Sequence, residues 1–347
     1  MAVKKTNYLW QKITDELAEQ INSNACAVGD KFHSVDEISS RFDVSNITSR
    51  RVLAELARRN LIQKFRGRGG CIVNKPHQLK TINVMFNGKD ISLNNLGYLF
   101  AGLYKGIVEE SIRLGCENKV VTLKFLEQAA RSGERLDVLL VQDFPDFNKE
   151  LADLISSSAN INCCCCHCLD SIRGVSTVRN NFVHGGYMAT SHLIERGHRR
   201  IAMITSGGKW GAGRFEGYFM ALKDIGVCFE PELLKNCRKS YDSTARAMAE
   251  LMALKNPPTA IFAMSDMFAS FILEYCAHNK IRVPRDLAVI GFDNTIDSEI
   301  TNPPLTTVDT HWAEQGRLAV RLLTEDLPKD RVKDIVVKAD LIVRKST

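Results

Sequence analysis

From Thr81 onward, short apolar runs alternate with amphipathic stretches, and this alternation restricts the fold more than any other feature of the chain. TINVMF, LDVLLV, AIFA and AVIG are predominantly apolar segments of strand length. Such runs belong to strands buried on both faces, with helices between them as covers. The pattern predicts strand 81–86, helix 97–114, strands 119–123 and 136–141, helix 148–156, and extended segments at 161–169 and 174–178. It then restarts with helix 185–196, strand 200–204, helices 214–225 and 244–253, strand 260–263, helix 267–278 and strand 288–291. Two successive α/β units of similar size predict two lobes of doubly wound parallel sheet with a cleft between them. In open sheets of this kind, ligands bind beyond the carboxyl ends of the strands.

The first 75 residues follow a different pattern. Leu9, Ile13, Leu17 and Ile21 recur at helical spacing. Ser34, with Glu37 three residues on, forms a capping box for a short helix that should bury Val35, Ile38 and Phe42. Asp43-Val44-Ser45 makes a turn, and a longer helix follows with Ile47, Val52, Leu53, Leu56 and Ala57 available to pack inward. Two helices joined this tightly form a helix-turn-helix, whose second helix lies in the DNA major groove. Ser34, Ser45, Asn46, Thr48, Arg50 and Arg51 lie where such a module meets bases and phosphates. Residues 61–65 and 71–73 read as two strands joined by a glycine-rich, basic tip. Lys64, Arg66, Gly67 and Arg68 there could enter the minor groove or follow the backbone.

The distribution of charge agrees with this reading. Residues 1–76 carry 13 Lys+Arg against 8 Asp+Glu, and the remaining residues carry 33 against 32. The excess positive charge therefore sits at the N-terminal end, where neutralised phosphates would release counterions. No run of about 18 apolar residues predicts a membrane span, and the basic, amphipathic N-terminus has no apolar core of a secretory signal. The expected location is the cytoplasm. Eleven cysteines in a chain of 347 residues are then expected as reduced thiols.

Cys163-Cys-Cys-Cys-His-Cys168 invites a metal or redox reading. Successive residues of a strand point to opposite faces, however, and cannot converge on one ion. Zinc ligands are usually spaced as C-x2–4-C pairs, and cysteine packs well as a small apolar residue. No metal site is expected, and a thiol- or metal-responsive regulator stands as the alternative. There is no nucleophile elbow, P-loop or HExxH, so neither catalysis nor a cofactor is expected.

VGDKFHSVDEISSRFDVSNITSRRVLAELARRNLIQKFRGRGGCIV resembles the winged helix of GntR-type regulators. The resemblance rests on Val44, Ser45, Thr48 and Arg50, on Leu53, Leu56, Leu61 and Ile62, and on Gly67 and Gly69. It implies DNA contacts at Ser45, Thr48, Arg50, Gly67 and neighbouring wing residues. Asp36 and Asn46 stand where the family commonly carries arginines.

Residues 81–347 resemble the sensing domain of the LacI/GalR repressors, which is similar to periplasmic sugar-binding proteins. The best stretches are HGGYMATSHLIERGHRRI (184–201), AVIGFDN (288–294), PLTTV (304–308) and the terminal ADLIVRKST. The resemblance implies that Arg214 grips effector oxygens and that Asp293 accepts from effector hydroxyls. Asp266, Asn181 and Phe182 are implied in cleft loops, and Trp210 is implied as a stacking face. Asn180 replaces the family's aspartate. The organisation expected is a winged helix-turn-helix at 1–75, a linker at 76–80 and a two-lobed effector-binding and dimerisation domain at 81–347. The expected function is a homodimeric, DNA-binding regulator switched by a small polar effector such as a sugar, with the resemblance implying repression.

Overall fold

The computed structural model describes residues 9–22, 26, 30–59, 61–64, 71–73, 81–86, 98–141, 149–168, 173–325, 327 and 330–347. It divides into two compact units, Met1–Gln78 with Thr324–Asp326, and Leu79–Leu323 with Leu327–Thr347. The predicted linker 76–80 lies outside the described residues.

The first unit contains α1 (Leu9–Asn22), β1 (Lys31–Phe32), α2 (Val35–Phe42), α3 (Asn46–Arg58), β2 (Ile62–Lys64) and β3 (Cys71–Val73). Ile13, Leu17 and Ile21 of α1 pack with Ile38, Val52, Leu53 and Leu56 into one buried cluster. Val35 and Phe42 are only partly buried against it. Leu9 and Ile47 depart from the expected pattern, being 61% and 81% exposed. The wing pair gains a third strand that the sequence did not signal. β3 pairs antiparallel with both β1 and β2, with Phe32 opposite Cys71 and Ile62 opposite Val73.

The second unit runs β4 (Thr81–Phe86), α4 (Tyr98–Leu114), β5 (Glu117–Val120), α5 (Leu123–Ser132), β6 (Leu136–Val141), α6 (Lys149–Ser157), β7 (Ile161–Cys166), β8 (Ser176–Asn180) and α7 (Phe182–Glu195). It continues with β9 (Ile201–Thr205), α8 (Gly208–Asp224), β10 (Leu234–Asn236), α9 (Tyr241–Met252), β11 (Ala260–Ala263), α10 (Asp266–His278), β12 (Ala288–Phe292), α11 (Asp297–Ile300) and β13 (Thr306–Asp309). The chain ends with α12 (Trp312–Thr324), β14 (Asp334–Val337) and β15 (Asp340–Ile342).

Two six-stranded sheets result, ordered β14-β8-β7-β6-β4-β5 and β10-β9-β11-β12-β13-β15. Every pairing is parallel except the last, β13 with β15. The lobes are not simply successive. After β13 the chain returns to the first lobe, where Trp312, Ala319 and Val320 of α12 join Ile82, Leu103 and Leu139 in one cluster. It then supplies β14 to the first sheet and β15 to the second. The predicted strand 119–123 is also corrected, because Thr122 caps α5 by accepting from the Phe125 N–H and Leu123 is already helical.

The cysteine run shows why the first sheet holds. Cys164 and Cys166 pack on the face covered by α4 and α12. Cys163 and Cys165 lie on the opposite face with Leu126 of α5 and Ile155 of α6. The period of two divides the thiols between two cores, as strand geometry requires.

Candidate functional sites

On the first unit, the helix-turn-helix geometry is built by caps. Ser34 accepts from the Glu37 N–H at 3.3 Å while its own N–H donates to the Glu37 carboxylate at 2.6 Å. That backbone N–H holds the Glu37 carboxyl below its ordinary value. Asp43 takes a left-handed conformation, φ 49°, to end α2. Ser45 then caps α3, accepting from the Thr48 N–H at 3.3 Å, and the two hydroxyls lie 3.0 Å apart. Ser39 ties the helices together, donating to Asn46 Oδ1 at 2.7 Å and lying 2.8 Å from the Ser49 hydroxyl.

Ser34 and Ser45 thus serve the local fold as caps, and Asn46 has one amide oxygen engaged. Ser45, Asn46, Arg50 and Arg51 are all exposed on α3, and Thr48 is half-buried. The Arg51 guanidinium sits over the Trp10 ring at 4.2 Å. The Lys64 backbone ends β2. Its side chain, together with Arg66, Gly67 and Arg68, lies outside the described residues.

The second site begins with two helices in backbone contact. A Cβ on Gly186 of α7 would stand 2.2 Å from the Arg214 carbonyl oxygen, and one on Gly217 of α8 would stand 2.0 Å from that of Val183. Only glycine allows this approach. It sets Arg214 beside the start of α7, with its guanidinium 4.7 Å from the Phe182 ring and 4.3 Å from the Phe292 ring. Arg214 Nη2 donates to Asp293 Oδ1 at 3.3 Å, and both residues are buried. Burial pushes the Asp293 carboxyl up to about 6 against the pull of Arg214. It likewise lowers the Arg214 value, against the pull of Asp293.

The first lobe meets this arginine with His167 and Trp312. Their rings lie 4.4 Å apart, and His167 stands 6.1 Å from Phe182. Burial, and secondarily the Arg214 charge, depress His167 to about 3, so it is neutral at ordinary pH. His167, Asp293, Asn294 and His311 all have positive φ, at 54°, 103°, 49° and 53°. Left-handed backbone at non-glycine residues carries strain that concentrates at functional sites. All four follow the carboxyl ends of β7, β12 or β13.

Several other buried polar atoms lie at the end of β8, just after β12 and β13, or in the first turns of α12. Asn180 Nδ2 and Oδ1, Asp293 Oδ2, Thr310 Oγ1, Trp312 Nε1 and Gln315 Oε1 have no hydrogen-bond partner among the described residues. Each such atom costs about 1–3 kcal/mol in a dry interior.

The six predicted effector residues therefore fall into three groups. Arg214, Asp293 and Phe182 come together. Phe182 is not in a loop, as expected, but is the first residue of α7, while Asn181 caps that helix by accepting from the His184 N–H at 2.9 Å. Asp266 is likewise no loop residue. It opens α10 and accepts from Thr307 Oγ1 at 2.6 Å and from the Thr295 N–H at 2.7 Å, fastening that helix to the neighbouring strand ends. Burial, and secondarily the Asp293 charge, raise it to about 7. Trp210 lies in α8, and its side chain is outside the described residues. Sequence reasoning missed His167, Phe292, Trp312, Thr310 and Gln315. The one signal for His167, Phe292, Thr310 and Trp312 was position, at or just after strand ends; Gln315, on α12, carried none.

Two family models match separate parts of the chain. Residues 9–72 match the bacterial regulatory proteins of the gntR family, and residues 190–347 match the periplasmic binding protein-like domain. The chain is similar to the HTH-type transcriptional repressor CytR of Escherichia coli strain K12, 32% identical over 175 residues, 49% of this chain and 51% of that protein. It is also similar to the HTH-type transcriptional repressor PurR of Erwinia tasmaniensis, 36% identical over 174 residues, 49% of this chain and 51% of that protein. The chain thus spans about half the length of these curated relatives. Among solved structures, a transcriptional regulator CelR–cellobiose complex superposes with TM-score 0.64 at 25% identity, covering 88% of this chain and 92% of that one. The chain carries a regulatory domain of the gntR family at residues 9–72 and a periplasmic-binding-protein-like domain at residues 190–347.

Proposed function

We propose that this protein is a transcriptional repressor whose grip on a DNA operator is switched by a small, hydroxyl-rich effector held between the two lobes. The observation that carries this reading is Arg214, fixed between two phenylalanines and paired with Asp293, facing His167 and Trp312 of the other lobe. A guanidinium offers donors in a fixed fork, and the unbonded oxygen of Asp293 is an acceptor. Asn180 and Trp312 add donors, and Thr310 and Gln315 add acceptors. A sugar matches that mixture because each hydroxyl both donates and accepts. The cellobiose named with the CelR structure supports the same ligand class.

In this reading, residues 1–75 form the DNA-binding head, 76–80 the linker and 81–347 the sensing and dimerisation domain. Ser34, Ser45, Asn46, Thr48, Arg50 and Arg51, with Lys64, Arg66, Gly67 and Arg68 of the wing, face the duplex. Two copies would read a two-fold symmetric operator. An effector can switch the protein only if it binds one lobe arrangement better than the other.

The test is a thermal-shift screen against mono- and disaccharides, sugar acids and purines. It is followed by gel shifts of a selected duplex with and without the hit. A ligand at a hundred times its dissociation constant should add about 2.7 kcal/mol of stability. A ligand that stabilises Arg214→Ala as well as it does the parent protein would defeat the assignment of the cleft.

A further inference from the structure

Ile47 is the most exposed large apolar side chain among the described residues, at 81%. It lies on the first turn of α3, two residues after the Ser45 cap. The helix buries Ser49, Val52, Leu53 and Leu56. At about 100° per residue, Ile47 points roughly 170° away from the centre of that face. No small rotation of α3 could bring it into the core. A β-branched residue is also a poorer helix former than the alanine or leucine that could stand there. Ile47 therefore serves neither the helix nor the packing.

Its surroundings indicate what would cover it. Asn46, Arg50, Arg51, Ala54 and Arg58 share the exposed side of α3, and the nearest carboxylate on that helix, the half-buried Glu55, is paired with Arg58 and Arg59. The segment belongs to residues that match the gntR family of regulatory proteins. A basic helix face with one apolar residue near its leading end is complementary to the major groove. There, phosphates flank the base edges and the only large apolar group is the C5-methyl of thymine.

We propose that Ile47 is a specificity residue that packs on a thymine methyl in the major groove, giving the protein a preference for thymine at one position of each half-site. This inference rests on the DNA-binding reading above. Arg50 and Arg51 would position the helix through charge, whereas Ile47 would distinguish thymine from cytosine without a hydrogen bond.

The experiment uses the full chain. A preferred duplex is selected from a random library, and each thymine is then replaced singly by deoxyuridine, which removes only the methyl group. For the parent protein, one replacement per half-site should weaken binding about fourfold, the factor for one buried methyl. For Ile47→Ala the same replacement should have no effect. Because Ile47 is exposed, the variant should melt with the parent, and because no charge is lost, its salt dependence should match the parent's. Penalties that are the same in Ile47→Ala, or selective binding with no deoxyuridine penalty at all, would overturn the inference and leave DNA binding intact. Failure of the parent protein to select any duplex sequence would overturn the DNA-binding reading and this inference with it.

Discussion

Arg214 and Asp293 approach to 3.3 Å inside the second lobe, yet only one oxygen of Asp293 takes part and the other has no partner among the described residues. Such a pair is often no better for stability than apolar packing, and under the effector-binding reading its open oxygen serves the ligand. Arg214→Ala should weaken effector binding by about 10- to 150-fold, the range for hydrogen bonds to charged groups of about 1.5–3 kcal/mol. Asp293→Asn should also weaken it, and it should melt below Arg214→Ala, because it leaves the buried guanidinium without its carboxylate, whereas a lone Asp293 carboxyl, already raised to about 6, can take a proton. Calorimetric titration and melting curves of the two variants check both statements. Equal affinity in all three proteins would remove the pair from the site.

The position of Arg214 depends on the backbone contact between α7 and α8. Gly186→Ala would place a methyl 2.2 Å from the Arg214 carbonyl oxygen, a distance that no side-chain adjustment relieves. The helices must separate, at a cost of about 1–3 kcal/mol for overpacking. The variant should melt lower and lose effector affinity together. A control at Gly197, where no atom lies within 4 Å of the added Cβ, should leave affinity unchanged while straining only its own turn, φ 95°.

The contrast between these residues shows how much the sequence could disclose. Strands 81–86, 136–141 and 260–263 were legible to the residue, because a short, predominantly apolar run fits a strand buried on both faces of a parallel sheet. Arg214 and Asp293 were legible through motif resemblance. His167 and Trp312 were not, because their partnership joins β7 to a helix that returns from the other lobe after more than a hundred residues. No local period encodes that return. Leu123 was misassigned as the end of a strand because the apolar residues Val120, Val121 and Leu123 run past the true strand end with only Thr122 between them. Only the Thr122 cap decides between strand and helix. Ile47 was read as core from its type alone, although its angle on α3 already opposed Val52.

His167 should make stability depend on pH with a definite sign. Its folded value of about 3 lies below its ordinary 6.5, so the unfolded chain binds a proton that the folded chain refuses. Its contribution is complete above about 6.5 and is lost as pH falls from there toward 3. Asp266 and Asp293, raised to about 7 and about 6, have the opposite slope and are present in parent and variant alike. The melting temperature of the parent minus that of His167→Gln should therefore decrease from pH 7 to pH 5. A difference that stays flat would mean that His167 is not held neutral.

The cysteines supply a test of the rival thiol-responsive reading. None of the eleven is paired in a disulfide in the structure; only Cys228 is exposed, while Cys164, Cys165, Cys166 and Cys168 are buried. The Cys165 thiol is raised well above its ordinary value by a hydrogen bond with Cys168 and by burial, and Cys166 is raised by burial. The thiolate is the reactive form, so these two should be inert at neutral pH. Under native conditions an aromatic disulfide reagent should modify Cys228 first. The partly buried Cys26, Cys116 and Cys163 should follow more slowly, and the buried thiols of the run should react only on unfolding. Mass spectrometry of the labelled peptides distinguishes these classes. Cys228→Ser should remove the fast phase and leave DNA binding insensitive to mild oxidant. Rapid labelling of Cys165 or Cys166 in the folded protein, with loss of DNA binding in step, would instead transfer the switch from the Arg214 cleft to the cysteine run.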